Sequence, residues 1–411
     1  MEQFKHATGR LTVKRNKSTA LFFSAVRKMA RLQRTAWQLA PHALFNEMMG
    51  QPAGRKAAAK KAPKVVKRAK APATGKAPTG TDTGTDFDAA TFAGVWKSRI
   101  YRTPAMPGVW PVRLSYFVYV PPGLRKGSPV LIMLHGCEQT ARDFAVGTRL
   151  HRLADREGFL LVYPQQSRRG QQNRCWHWYQ PDSAHGYAEA DAIAGIAASA
   201  VKDYHGDPSR VYIAGLSAGA GMAALAALRH PDTFAALGMH SGGVLGNAHN
   251  AGQGLRVMRH GASLAPQQAL ADLVGDVEAF PGMPAIIVQG DRDVVVDKRN
   301  GQQLFEQMAW LNHIDVAAGD VIDAAPLPRP IGAGSARHYM RIDATERDPA
   351  ARAGKSPAAG PCVSLCIVPG LGHAWSGGDG AIRFHAEQGP DASALMWQFF
   401  KTRKRQGPGA A

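Results

Sequence analysis

Between residues 130 and 400 the chain alternates short, continuous apolar runs with helix-length segments, and that alternation limits the available folds more than any other feature. The runs are Val130–Leu134, Phe159–Tyr163, Val211–Ala214, Ala235–Met239, Ala285–Val288 and Val363–Val368. Helix-like stretches include Ala188–Tyr204, Ala218–Arg229, Arg299–Asn312 and Asp391–Thr402. An unbroken apolar run of strand length has no polar face to offer water, so both of its faces must be covered. The expected class is therefore α/β, a mostly parallel central sheet between helices. In the last helix Ala392, Leu395, Met396 and Phe399 form one apolar stripe suited to docking on that sheet.

Charge divides the chain differently. Residues 1–80 hold 18 Lys and Arg against 2 Glu, so they carry +16 of the +19 total. The expected organisation is a basic tail over 1–90 and a folded domain over 91–404. From Gly54 to Lys76 the tail is too poor in large apolar side chains to offset the entropy of ordering. Upstream, Phe22, Val26, Met29 and Trp37 recur at roughly helical spacing among Arg27, Lys28, Arg31 and Arg34, which predicts a basic amphipathic helix near residues 20–39. Three roles stay open for the tail: a solvated leader, a binder of an anionic or hydrophobic surface, or an electrostatic, salt-sensitive contact with nucleic acid. No specific nucleic-acid reader motif accompanies the charge. The apolar run Ala20–Val26 is short and followed at once by Arg27-Lys28, so no secretory signal is read there, and no stretch of about 20 apolar residues predicts a membrane span.

Three segments carry the chemistry. Gly215-Leu216-Ser217-Ala218-Gly219 follows an apolar run and precedes a small-residue helix, the context that G-x-S-x-G needs to expose a serine on a strained turn. Gln289-Gly290-Asp291-Arg292-Asp293 places carboxylates just beyond a strand's carboxyl end, with Asp297 nearby. Pro369-Gly370-Leu371-Gly372-His373-Ala374-Trp375 places a histidine on a glycine-rich loop after another strand. The order Ser, Asp, His is that of a hydrolase triad. A serine hydroxyl is a weak nucleophile until an imidazole takes its proton, and a carboxylate fixes the tautomer of that imidazole. Each residue also has a plainer reading: a tight turn at Ser217, a backbone-bonded loop histidine, an ion pair of Arg292 with Asp291 or Asp293.

Leu134-His135-Gly136-Cys137, Val162-Tyr163-Pro164-Gln165, Cys175-Trp176-His177-Trp178, Gly215-Leu216-Ser217-Ala218-Gly219-Ala220, His240-Ser241-Gly242 and Gly372-His373-Ala374-Trp375-Ser376-Gly377-Gly378 stand together in one order over about residues 92–402. This body resembles the esterase and polyhydroxybutyrate (PHB) depolymerase family. The resemblance implies a serine esterase on an α/β-hydrolase fold; no cofactor is expected, and no metal, because Cys362-x3-Cys366 with a later histidine lacks a second ligand pair. Ser217 is then the nucleophile, His373 the general base and acid, and Asp293 the orienting carboxylate, with Asp291 as the alternative. It implies backbone oxyanion donors at Cys137 and Ala218, and a Cys137–Cys175 bridge near the active site. Trp176, Trp178, Tyr179 and Trp375 are expected to contact substrate, although aromatic clusters are also ordinary core. Asp191 reads as a capping or packing carboxylate. Cys362 and Cys366, about 13 Å apart along a strand, are not expected to bridge.

The chain departs from the family at Ser376, where many relatives have proline, and in ending about ten residues after its last helix, where secreted depolymerases continue into a substrate-binding domain. The family is commonly extracellular; with no signal read, a cytoplasmic or granule-associated place stays open. The leading expectation is hydrolysis of short-chain or oligomeric hydroxyalkanoate esters. Feruloyl or acetyl esters on carbohydrate are the alternative enzyme reading. A granule, membrane or nucleic-acid binding protein with a vestigial hydrolase body is the non-enzyme reading, which the intact triad opposes. Gly246–Gly282 and Ala317–Ala336 are expected to shape the entrance.

Overall fold

In a computed structural model of the 411-residue chain, the described residues are 92–104, 111–182, 184–263, 265–314, 338–345 and 361–405. The basic tail, the helix expected near 20–39 and the stretch 317–336 lie outside them. Nine strands among the described residues make one sheet: β1 (Val95–Arg102), β2 (Arg113–Val120), β3 (Val130–Leu134), β4 (Leu160–Gln165), β5 (Val211–Leu216), β6 (Ala236–His240), β7 (Ala285–Gly290), β8 (Met340–Ala344) and β9 (Val363–Val368). Their spatial order is β1-β2-β4-β3-β5-β6-β7-β9-β8. The run from β4 to β9 in that order is parallel, while β1, β2 and β8 pair antiparallel.

Every residue of β3, β5, β6 and β7 is buried, as their unbroken apolar sequences require. The pleat sorts alternate side chains into two cores. Val130, Ile132, Leu134 and Ile213 belong to one face, Leu131, Met133, Tyr212 and Ala214 to the other. The first core is covered by α3 (Gly186–Tyr204), α4 (Ala218–Arg229) and α7 (Arg299–Leu311); the second by α1 (Ala141–Thr148), α2 (Leu150–Glu157) and α8 (Ala392–Phe400). In α8, Ala392, Met396 and Phe399 are buried as the stripe predicts, and Leu395 packs at its margin.

Strands β1, β2 and β8 are absent from the expected alternation. β1 reads Val-Trp-Lys-Ser-Arg-Ile-Tyr-Arg, with most of its length exposed at the sheet's edge, so it has no continuous apolar run to show. β8, the other edge, is exposed at Met340 and buried only at Ile342 and Ala344. Gly246–Gly282, expected only as an entrance segment, contains α5 (Ala251–His260) and α6 (Pro266–Val274).

Candidate active site

Parallel strands bring all their carboxyl ends to one edge of the sheet, and the three chemical segments follow β5, β7 and β9 there. Ser217 is the single residue between β5 and α4, with φ 58° and ψ −120°, a conformation that side-chain-bearing residues rarely adopt. The glycines beside it are required by close backbone approach. A Cβ on Gly215 would lie 2.4 Å from the carbonyl of Gly219, and one on Gly219 would lie 2.2 Å from the Leu134 oxygen. Those atoms are main chain and cannot rotate away. Gly219→Ala is therefore expected to lose about 1–3 kcal/mol of stability through overpacking. Urea denaturation reads this directly, and an unchanged midpoint would contradict the close packing of α4 on β3.

Asp293 and His373 close on Ser217 from the neighbouring loops. The Asp293 Oδ2 is 2.8 Å from His373 Nδ1, and His373 Nε2 is 3.0 Å from Ser217 Oγ. Both the carboxylate and the imidazole are buried. The second carboxylate oxygen, Oδ1, accepts the amides of Val295 and Val296, each at 2.9 Å, so the turn after β7 itself holds the carboxylate in orientation. The other acids have different partners. Asp291 accepts the Gly370 amide at 2.7 Å, pinning the start of the histidine loop, and Asp297 accepts the Arg299 amide at 2.9 Å. Asp191 lies within α3 and pairs with Arg229 and His230, away from these groups.

The loop after β3 lies against the serine: a Cβ on Gly136 would come within 3.5 Å of the Ser217 Cβ. Ala218, the first residue of α4, has its amide at the positive end of that helix. Cys137 is joined to Cys175 by a disulfide; Cys362 and Cys366 are not bridged to each other, and the Cys362 thiol donates to Asn312 Oδ1 at 3.1 Å. His135 also holds this loop. Burial pushes its pKa down to about 4, against a backbone hydrogen bond that favours the cation. Its neutral ring accepts the Gln166 amide at Nε2 (3.1 Å) and donates from Nδ1 to the Gly136 carbonyl (2.8 Å). Burial likewise drives His240 down to about 3 despite the nearby Asp293 charge. Its Nε2 accepts the Ser376 amide at 3.1 Å, and its carbonyl accepts the Ser217 amide at 2.9 Å. Ser376 therefore supplies a donor that proline, lacking an N–H, cannot.

The four aromatic residues expected to contact substrate are buried instead. Trp176 and Trp375 are wholly enclosed, and Trp178 and Tyr179 nearly so. Trp176 donates its indole N–H to the His135 carbonyl at 3.0 Å, and Trp178 fills the space left by Gly221 and Gly243. Tyr179 packs on Gly254, while Trp375 stacks on His240 and donates to Ser393. Trp178 and Tyr179 fill glycine-sized gaps, and Trp176 and Trp375 are enclosed with their indole N–H groups already donated, so packing claims all four before a ligand can. What lines the opening at Ser217 is Gly136, Glu138, Gln139, Val295, Arg383 and Phe384, around a narrow space of about 20 Å³. Sequence reasoning missed Arg383 and Phe384 because they lie on an irregular loop with no periodicity. Gln139 reaches that loop across the opening: it accepts the Gly136 amide and donates to the Arg383 carbonyl. Among the described residues no group of three or more His, Cys, Asp or Glu is arranged to hold a metal ion.

Comparison with known proteins matches residues 114–325 to the family model described as esterase PHB depolymerase. Poly(3-hydroxyalkanoate) depolymerase C of Paucimonas lemoignei is 32% identical over 235 residues, 56% of this chain and 56% of that protein. The chain thus spans little more than half of that relative's length. Feruloyl esterase B of Thermothelomyces thermophilus is 29% identical over 53% of this chain and 76% of its own length. Probable acetylxylan esterase A of Aspergillus clavatus is 27% identical over 51% and 70% respectively. Among solved structures, the acetyl xylan esterase from Aspergillus awamori superposes with a TM-score of 0.50 over 70% of this chain and 93% of its own, at 17% identity. That likeness is one of fold, the α/β-hydrolase fold.

Proposed function

From the premise that this chain belongs to the esterase PHB depolymerase family, we propose that it is a serine carboxylic-ester hydrolase working through an acyl-enzyme. The observation that carries this reading is the continuous relay from Asp293 through His373 to Ser217 Oγ, at 2.8 and 3.0 Å. In it, His373 Nε2 takes the serine proton as Oγ attacks the ester carbonyl. The oxygen that becomes negative is held by the amides of Cys137 and Ala218, one on the disulfide-anchored loop and one at a helix N-terminus. His373 then gives its proton to the departing alcohol. Water repeats the attack on the acyl-enzyme, with His373 again as base, and the acid is released. Asp293, held by two backbone amides, keeps Nδ1 protonated and stabilises the imidazolium.

The substrates proposed are short-chain or oligomeric hydroxyalkanoate esters, the class named by the depolymerase relative. The opening at the serine is narrow, closed in by Val295 and Phe384, which favours a small acyl group there. The same observation supports acetyl esters on carbohydrate as a second reading, in line with the acetylxylan esterase relatives. The test is turnover of 4-nitrophenyl acetate, butyrate and octanoate beside release of hydroxybutyrate from a soluble oligomer. Acetate and butyrate are expected to outrun octanoate. Folded protein that turns over none of them overturns the reading.

A further inference from the structure

Phe384 stands half-buried at the opening beside Ser217, and its neighbours fix where its ring points. Two short strands, β10 (Trp375–Ser376) and β11 (His385–Ala386), pair in parallel with Trp375 opposite His385, which brings the residue before β11 alongside the histidine loop. The Phe384 ring meets the His373 imidazole edge to face, with centroids 6.3 Å apart. Its carbonyl accepts the Trp375 amide at 2.8 Å. One residue earlier, the Arg383 carbonyl accepts two side-chain donors, Gln139 Nε2 at 3.2 Å and His385 Nδ1 at 3.0 Å. The Arg383 guanidinium lies over the Phe384 ring, 4.3 Å from its centroid, and pairs with Glu138 at 2.5 Å. Phe384 itself has φ 63°, a left-handed backbone that is costly for a residue with a side chain and persists only where the surroundings over-determine it. Gln139 ties this loop to the opposite wall. Its buried side chain accepts the Gly136 amide at 2.8 Å, one residue before the Cys137 amide assigned to the oxyanion.

We propose that Phe384 is the specificity-determining residue for the acyl group, a fixed wall that excludes medium-length chains, and that Gln139 is the positioning residue that holds it there. This rests on the ester-hydrolase reading above and names the side chain behind its small-acyl preference. An acyl group bonded to Ser217 Oγ meets a space whose apolar lining is Leu216, Val295 and Phe384. Leu216 ends a buried strand, and Val295 is buried with its amide held by the triad carboxylate, so neither can withdraw. Phe384 is the largest of the three and sits on a loop. Without the bond from Gln139, the Arg383 carbonyl would lose its link to the oxyanion loop, and the ring its fixed place across the opening.

The experiment measures kcat/KM for 4-nitrophenyl acetate, butyrate, hexanoate and octanoate with the full-length protein and its variants. The quantity read is the ratio of butyrate to octanoate, because both esters use the same triad and leaving group and any general loss of activity cancels. In wild type that ratio is expected to be about tenfold or more, and Phe384→Ala should lower it by about tenfold, the scale on which an apolar pocket discriminates chain length. Phe384→Leu should fall between the two. Gln139→Glu keeps an acceptor for the Gly136 amide but sets a carboxylate oxygen against the Arg383 carbonyl, so the ratio should fall there as well. Gln139→Met, of similar length and uncharged, repeats that test without a buried charge. A ratio that Phe384→Ala leaves at the wild-type value overturns the wall. A ratio unmoved in both Gln139 variants overturns the positioning role. Turnover of all four esters by wild type without preference overturns the proposal and leaves the hydrolase reading standing. Failure of folded wild type to hydrolyse any of them refutes the hydrolase reading instead.

Discussion

Ser217→Ala is expected to lower kcat for any ester substrate by about four to six orders of magnitude, the effect of deleting the nucleophile of a triad. Alanine leaves the turn backbone as it is and removes the oxygen that His373 Nε2 faces at 3.0 Å. Thermal and urea midpoints should therefore stay close to wild type, which separates lost chemistry from lost structure. The measurement is initial rate at high enzyme concentration with 4-nitrophenyl butyrate. Residual activity within tenfold of wild type would remove Ser217 from the mechanism.

Asp293→Asn is expected to cost about 10³–10⁴ in kcat. The amide oxygen can still accept from Val295 and Val296. Its NH₂ then faces His373 Nδ1, and the ring must turn to the tautomer with hydrogen on Nε2, so it cannot accept the serine proton. Asp291→Asn is the paired control. Asp291 serves the Gly370 amide, a role that an asparagine oxygen also fills, and its cost should stay within about tenfold. If Asp291→Asn were the more damaging change, the assignment of the triad acid would be reversed. The two carboxylates are separated by one residue in sequence, which is why only their partners distinguish them.

Legibility in the sequence followed burial. Strands covered on both faces, such as Val130–Leu134 and Ala285–Gly290, have to be continuously apolar and were readable within a residue or two. Edge strands obey no such demand. Lys97, Arg99 and Arg102 in β1 are tolerated because that strand's outer side meets solvent, so its pairing with β2 had no apolar signature. The nucleophile turn was readable for a different reason: two glycines flank the serine because their missing Cβ atoms let β5, α4 and β3 approach closely. The aromatic cluster misled because tryptophan's chemistry suits a ligand and a core equally, and composition does not say which neighbour is present. Gly221, Gly243 and Gly254 supply the neighbours, from positions far along the chain.

The sequence by itself determined the parallel sheet and the three segments that carry serine, carboxylate and histidine, because each is local: a strand-length apolar run, a glycine-bracketed turn, a loop directly after a strand. Tertiary structure decided what is non-local. It assigned Asp293 to His373 across 80 positions and enclosed Trp176 and Trp375. It also brought Gln139 and Phe384, from distant loops, to the opening at Ser217. A local pattern states what a residue can do; which group stands within 3 Å of it depends on how distant segments pack, and no short-range signal encodes that distance.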